Sequence, residues 1–176
     1  MIFISGIHGA GKSYFTERIK EQCNIVTYSA STLIANYKGY TFKSDKKVDN
    51  ISSNQQILST VIKEKRITDK EEFLLDGHFC LLNKNNEITR IGLDTFIELS
   101  PNAIILITEL PEIIVERRKT RDNVRVNIET TMQFQNEEIA CAKEVANILK
   151  IPLFISKGSA DINNAINFLF SITKEE

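Results

Sequence analysis

Eight consecutive residues near the start of the chain have the types and spacing that bind a phosphate chain. They fit the pattern G-x-x-x-x-G-K-[ST]: Gly6, Ile7, His8, Gly9, Ala10, Gly11, Lys12 and Ser13. Glycine lets successive backbone N–H groups approach phosphate oxygens, the lysine supplies a mobile cation for the β- and γ-phosphates, and the serine offers a hydroxyl to Mg²⁺. A glycine-rich turn can also be structural. The apolar strand before it and the amphipathic helix after it favour nucleotide binding.

The loop and the start of its helix provide the predicted ATP contacts. We assign these contacts to Gly6, His8, Gly9, Ala10, Gly11, Lys12, Ser13 and Tyr14. The helix that begins near Gly11 directs its positive N-terminus toward the phosphates. His8 occupies a variable position of the pattern, so it is either a phosphate contact or a tolerated neighbour.

A second informative stretch is an apolar run, Phe73-Leu74-Leu75, that ends in Asp76 and is followed by Gly77-His78. A carboxylate at the end of a buried strand can contact Mg²⁺ directly or through water. The alternative is an aspartate that opens an Asp-Gly turn. The phosphate loop in the same chain favours the metal reading, with Ser13 and Asp76 as the metal-side residues. His78 either binds a ligand or caps the turn.

A cluster of five cations follows at positions 117–125: Arg117, Arg118, Lys119, Arg121 and Arg125. In a helix, Arg117 and Arg121 lie on one face, where they repel each other unless anionic oxygens lie between them. The usual reading of such a run is a solvated basic face. Beside a phosphate loop, we interpret it as a short lid near residues 117–127 that closes on the transferring phosphate.

The elements that must position these residues alternate between strand and helix along the chain. Short apolar strands are predicted at 2–5, 25–28, 72–76, 103–107 and 153–155, with helices between them. A small hairpin is predicted at 79–91, a helix near 54–66, and a long helix from Ile128 to Leu149. In that helix the inward stripe is predicted to consist of Ile128, Met132, Gln135, Ile139, Ala142, Ala146 and Leu149. The pattern predicts an α/β fold with a parallel sheet covered on both faces and ligands at the carboxyl ends of the strands.

Composition bounds the class of protein. The 176 residues, 42% hydrophobic, suit one domain with a substantial core, and we treat residues 1–176 as a single domain. A net charge of −1 lacks the basic excess of a nonspecific nucleic-acid binder. Three widely spaced cysteines, Cys23, Cys80 and Cys141, give neither a disulfide framework nor a metal-binding pair. With no stretch long enough for a signal peptide or a membrane span, we expect a cytoplasmic protein.

These features together resemble the nucleoside monophosphate kinase superfamily, most closely the archaeal-type adenylate kinases and adenylate-kinase-like ATPases. The resemblance spans residues 1–158. It rests on the phosphate loop, on Leu74-Leu75-Asp76-Gly77-His78, on Leu99-Ser100-Pro101-Asn102 and on Glu116-Arg117-Arg118-Lys119-Thr120-Arg121.

The resemblance implies a three-layer P-loop fold with a five-stranded parallel sheet in the order 2-3-1-4-5. It implies ATP and Mg²⁺ as cofactors and acceptor-binding helices near residues 30–66. It also implies Arg117 against the adenine or phosphates, Arg121 and Arg125 on the transferring group, and the 156–158 segment, including Lys157, beside the adenine. One departure concerns the acceptor: no arginine occurs between Arg18 and Arg66 to clamp an acceptor phosphate.

The main hypothesis is a Mg²⁺-dependent enzyme that transfers the ATP γ-phosphoryl group to a small acceptor, with a nucleoside monophosphate as the first candidate. Lys12, Asp76, Arg117 and Arg121 are its predicted catalytic residues. A second hypothesis keeps the reaction and changes the acceptor to a non-nucleotide metabolite or a nucleic-acid 5′ end. A third is an ATP-hydrolysing switch that acts on a protein partner.

Overall fold

The computed structural model describes residues 1–22, 24–39, 51–69, 71–83 and 85–173. The strands are β1 (Ile2–Ser5), β2 (Val26–Ser29), β3 (Phe73–Asp76), β4 (Cys80–Leu82), β5 (Ile88–Arg90), β6 (Ala103–Thr108) and β7 (Leu153–Lys157). The helices are α1 (Lys12–Lys20), α2 (Ala30–Lys38), α3 (Ile51–Asp69), α4 (Leu93–Leu99), α5 (Pro111–Asp122), α6 (Ile128–Leu149) and α7 (Ile162–Thr173), with a short 3₁₀ turn at Ser159–Asp161.

Five strands form a parallel sheet in the order β2-β3-β1-β6-β7. Counted without the hairpin strands β4 and β5, this is the predicted order 2-3-1-4-5. Strand β1 lies at the centre, and all four of its residues are buried, as expected for a strand that is covered on both faces. Helices α1 and α7 pack together on the sheet, while α3, α4 and α6 form another packed group. The predicted three-layer α/β fold is confirmed.

The strand register brings the polar strand ends to one edge. Ser29 pairs with Asp76, Ile4 with Asp76, and Thr108 with Lys157. Because all five strands run in the same direction, their carboxyl ends meet, as predicted.

The β4–β5 hairpin is held to α6 from two sides. Outside, the Arg90 guanidinium donates to the Glu137 carboxylate at 2.7 and 2.9 Å and to Glu144 at 3.4 Å. Inside, the backbone N–H of Cys80 donates to the carboxylate of Glu138 at 2.7 Å. The hairpin and α6 therefore form one packed unit beside the sheet.

Two sequence predictions need correction. Helix α3 begins at Ile51 rather than near 54, so Ser52 and Ser53 lie in its first turn. The buried face of α6 consists of Thr131, Phe134, Glu138, Cys141, Ala142, Val145 and Ala146. Ile128 and Met132, predicted to face inward, are nearly half exposed. The inward face carries a glutamate, which hydrophobic spacing does not select. The predicted stripe is therefore shifted by about one residue in the first half of the helix.

The structure also describes the start of α2 and two of the three cysteines. Ser29 caps α2, its hydroxyl accepting from the Thr32 N–H at 3.5 Å. Cys80 and Cys141 are buried free thiols, while Cys23 and residues 40–50 lie outside the described residues.

Gly77 is the point where the Asp76 turn meets the core. A Cβ built there would lie 2.8 Å from two ring atoms of Phe3, a buried ring that packs edge-on against Phe79 and Phe96. Phe3 cannot move away from an added methyl group without displacing Phe79 or Phe96, so only glycine fits at position 77.

We expect Gly77→Ala to lower the free energy of unfolding by about 1–3 kcal/mol, because the added methyl overpacks this aromatic cluster. Urea denaturation at constant temperature measures the change. Gly92→Ala is the matched control, since its Cβ would meet nothing within 4 Å. Equal stability of the Gly77→Ala variant and the unchanged protein would contradict the packing argument.

Candidate functional site

The phosphate-loop backbone takes a course that requires glycine at two positions. Gly6 has φ +142° and Gly11 has φ +114°, both in the region that side chains disfavour. A Cβ on Gly6 would also collide with the backbone carbonyl of Ile107 in β6. The Ala10 N–H donates to the Ile7 carbonyl at 3.1 Å, which closes the turn before α1 begins at Lys12. The loop therefore lies directly against the central strands.

The ammonium of Lys12 is enclosed at the centre of this loop. It donates to the carbonyl of Gly6, and it lies 3.5 Å from Nε2 of His78 and 3.8 Å from Oδ1 of Asp76. The side chain is only 9% exposed. A buried cation is costly unless it is paired and hydrogen-bonded, so these three contacts fix the position of the ammonium charge.

Ser13 and Asp76 both line the same cavity as Lys12. A hydroxyl and a carboxylate are the hard oxygen donors that Mg²⁺ prefers. Within the described ranges, no group of three or more His, Cys, Asp or Glu residues could enclose a metal ion. The donor set therefore suits an ion that takes its other ligands from water and from phosphate oxygens.

Arg117 extends from α5 over the loop. Its guanidinium donates to the carbonyls of Gly9 and Ala10 at 3.2 and 3.4 Å and to the carboxylate of Glu109 at 2.9 Å. Glu109 is itself fixed, because Gln135 of α6 bonds both its backbone N–H and its carbonyl. A planar fork can make these contacts together, which a single ammonium cannot.

Arg121 lies one turn further along α5 and lines the cavity. Its guanidinium is paired with the Asp122 carboxylate at 2.7 and 3.1 Å, and this hydrogen bonding raises the pKa of Arg121 and lowers that of Asp122. The repulsion predicted between Arg117 and Arg121 is thus relieved by one carboxylate for each. To reach a ligand, Arg121 must exchange Asp122 for another anion.

The structure does not bring every predicted residue to the cavity. Arg125 is exposed in the 123–127 connection, and Lys157 is exposed at the end of β7, with its backbone N–H bonded to Asp161. Gly158 and Ile162 line the cavity at that end instead. The remaining predicted loop residues lining it are His8, Gly9, Ala10, Gly11 and Tyr14.

The cavity has a volume of about 740 Å³ and two chemically different ends. The loop, α5 and the residues around Gly158 surround one end. The other is lined mainly by apolar side chains and neutral polar groups from α2, α3, α4 and the hairpin region: Ser29, Ser31, Ile34, Asn54, Gln55, Leu58, Leu81, Ile91, Phe96 and Leu99. Among the described lining residues of this second end, there is no lysine or arginine.

Sequence reasoning missed Glu138, which is 1% exposed beneath the loop. Its carboxylate accepts from the hydroxyl of Ser5 and from the backbone N–H groups of Phe79 and Cys80 at 3.0 and 2.7 Å. Burial raises the pKa of this carboxyl, partly offset by these donors. Glu109 was also missed. For Glu138, the signal available in the sequence was an acidic residue on a helix face that otherwise packs into the core.

Comparison with known sequences identifies the family. The AAA domain family matches residues 5–132, which include the phosphate loop, Asp76 and Arg117. The chain belongs to the AAA domain family. In this AAA domain protein, Glu138 and Lys157 lie beyond the matched segment. No curated protein has a sequence significantly similar to the chain.

Solved structures similar to this AAA domain protein include three small-molecule kinases. Shikimate kinase from Acinetobacter baumannii, in complex with shikimate, has a TM-score of 0.59 at 14% identity, covering 99% of this chain and 94% of that one. A gluconokinase from Sinorhizobium meliloti has 0.54 at 14%, covering 98% and 93%. Deoxyadenosine kinase from M. mycoides, with bound dATP, has 0.54 at 14%, covering 97% of each chain. At this identity the likeness establishes a shared fold.

The helices of the described residues differ from membrane spans. None combines the length and apolar character needed to cross a bilayer.

We expect Arg117→Lys to weaken ATP binding roughly tenfold, about 1.4 kcal/mol, because an ammonium cannot bond the loop carbonyls and Glu109 together. Isothermal titration with a nonhydrolysable ATP analogue and Mg²⁺ measures the affinity. Lys119→Arg is the control, since Lys119 is exposed and pairs only loosely with Glu116 at 3.8 Å. An unchanged affinity in Arg117→Lys would remove Arg117 from the nucleotide site.

Proposed function

We propose that this protein is an ATP-dependent phosphotransferase that acts on a small molecule bound in the second end of the cavity. The observation that carries the proposal is the convergence of Lys12, Asp76, Arg117 and Arg121 on one end of a cavity whose other end is open to a different ligand. Similar small-molecule kinases share the fold and support the proposal.

In this proposal the phosphates of ATP lie on the loop backbone at the N-terminus of α1. Lys12 neutralises charge on the β- and γ-phosphates, and Arg121 stabilises the phosphoryl group in transfer after leaving Asp122. Bound Mg²⁺, held through Ser13 and Asp76, would supply charge neutralisation between phosphate oxygens. Positioning and charge stabilisation account for such catalysis, so no nucleophilic side chain is required.

The adenine is assigned to the end of the cavity near Gly158 and Ile162, with Arg117 above it. Gly158 is suited to a close approach, because a Cβ there would lie 2.7 Å from Glu109 and its φ is +89°. Lys157 remains a proposed contact at the rim. The acceptor helices near 30–66, the lid near 117–127 and the treatment of residues 1–176 as one kinase domain belong to the same proposal.

A nucleoside monophosphate is the first candidate acceptor, on the resemblance to adenylate kinases. The lining of the acceptor end favours a second candidate. Its described residues are apolar or neutral, with Asn54 buried and accepting from Lys38 at 2.5 Å. Such a wall suits an uncharged molecule that presents a hydroxyl near Asp76, because an acceptor phosphate would lose hydration without gaining a guanidinium clamp. Lys43, Lys46 and Lys47, whose ammonium groups are the alternative contacts for an acceptor phosphate, lie outside the described residues.

A coupled assay that detects ADP formation, run with Mg-ATP and a panel of nucleoside monophosphates, nucleosides and small polyols, tests the proposal. Transfer to a monophosphate supports the first acceptor, and transfer to an uncharged hydroxyl compound supports the second. Phosphorylated product identified by mass spectrometry separates transfer from hydrolysis. Hydrolysis that accelerates only with a macromolecule, with no phosphorylated small product, would replace the proposal with a nucleotide switch.

We expect Arg121→Ala to lower kcat by about 10²- to 10³-fold with little change in the KM for ATP, because its charge is needed mainly in the transition state. Lys12→Ala should abolish turnover. Steady-state kinetics on the acceptor found in the panel measure both effects. Lys119→Ala, on the same helix and exposed, serves as the control, and a wild-type kcat in Arg121→Ala would exclude Arg121 from the mechanism.

A further inference from the structure

Buried polar groups connect α6 to the phosphate loop through a single imidazole. His78 lies between two groups of opposite character. Its Nδ1 is 3.8 Å from a carboxylate oxygen of Glu138, a charge contact longer than a hydrogen bond, and its Nε2 is 3.5 Å from the ammonium of Lys12. The His8 ring lies beside it, with 4.6 Å between the two ring centroids. The imidazole is 15% exposed and Glu138 is 1% exposed, so both sit largely away from solvent. Neither Glu138 nor this arrangement has a role in the function proposed above.

Glu138 and Lys12 favour the same placement of the proton on the His78 ring. An ammonium can only donate hydrogen bonds, so the nitrogen that faces Lys12 must carry a lone pair. An ionised carboxylate can only accept, so the nitrogen that faces Glu138 is best protonated. Both conditions select the neutral tautomer with hydrogen on Nδ1. The opposite tautomer would direct N–H at the ammonium and a lone pair at the carboxylate.

Glu138 is itself held by donors, and these hydrogen bonds offset part of the rise that burial causes in the pKa of its carboxyl. Among the described residues, its two oxygens accept from the Ser5 hydroxyl and from the N–H groups of Phe79 and Cys80. These donors belong to the end of β1 and to the turn after β3. The carboxylate therefore ties the strand that leads into the phosphate loop to the segment that carries Asp76 and His78.

We propose that Glu138 is a positioning residue that, through His78, holds the Lys12 ammonium at the phosphate end of the cavity. The carboxylate sets the tautomer and orientation of the imidazole, and the imidazole lone pair fixes the ammonium beside the Gly6 carbonyl and Asp76. Its kinetic consequence rests on the proposed phosphotransferase function, whereas the tautomer does not.

The first test reads the tautomer directly. The chain contains two histidines, so long-range ¹H–¹⁵N correlation spectra of the labelled protein show two imidazoles. A His78→Gln variant assigns the signals of His78 by their loss and leaves the neighbouring His8 ring in place. We expect His78 in the Nδ1–H form, and a dominant Nε2–H form in the wild-type protein would overturn the proposal.

Glu138→Gln tests the role of the carboxylate. A glutamine amide must direct its own N–H groups at one of the backbone donors, so it cannot replace two acceptor oxygens. We expect His78 to move to a mixture of tautomers and kcat to fall roughly 10- to 100-fold, with a smaller change in the KM for ATP. Val145→Ala, equally buried on α6, controls for lost stability and should keep both the tautomer and kcat. An unchanged tautomer and kcat in a folded Glu138→Gln variant would overturn the proposal.

A double-mutant cycle tests whether Glu138 acts through His78. If it does, Glu138→Gln adds less than about twofold to the loss of kcat caused by His78→Ala. Multiplying losses would show that Glu138 acts by another route. Should the panel find no acceptor, so that the proposed function fails, the tautomer measurement still decides whether the carboxylate orients the imidazole. Should Glu138→Gln fail to fold, a dominant Nε2–H form in the wild-type spectrum would still overturn the proposal.

Discussion

The parallel pairing of β1 between β3 and β6 is the constraint on which the candidate site depends. This pairing brings Asp76 level with Ile4 and places the carbonyl of Ile107 against Gly6. With the strands fixed, the chain after Ser5 has little room, and only glycine can follow the path into α1. The positions of the loop, of Asp76 and of Glu109 just after β6 follow from the same hydrogen-bonded ladder.

Charge is balanced group by group around the loop. Lys12 is set against Asp76, Arg117 against Glu109 and Arg121 against Asp122. Buried or half-buried charges require such partners, because their desolvation is otherwise costly. A ligand with several negative charges can take over some of these pairings. An anion entering this cavity therefore meets cations already oriented by protein carboxylates, and binding consists partly of exchanging one set of acceptors for another.

The sequence predicted the features that local pattern determines. The phosphate loop, the buried strands and the polar strand ends depend on residue type at fixed spacing, and they lie where expected. Arg117 and Arg121 line the cavity from their helix, and the sequence did not indicate their carboxylate partners. The misread α6 stripe has a physical cause: Glu138 occupies a core-facing position because Ser5, Phe79 and Cys80 supply donors that only the tertiary fold brings there. Hydrophobic periodicity selects apolar residues, so it passes over an acid whose burial is compensated by distant backbone groups. The acceptor end was equally hidden, because its wall is assembled from side chains far apart in the chain.

The double attachment of the hairpin to α6 also bears on how the protein opens. The exposed pairs of Arg90 with Glu137 and Glu144 contribute little individually. The buried bonds from the N–H groups of Phe79 and Cys80 to Glu138 cannot break one at a time without leaving a buried polar group short of a hydrogen bond. Slow fluctuations that release the hairpin must then also disturb the middle of α6, so their backbone amides should exchange with solvent as one cooperative unit. Since that unit includes the turn after Asp76, the same fluctuation would expose to solvent the buried residues beneath the phosphate loop.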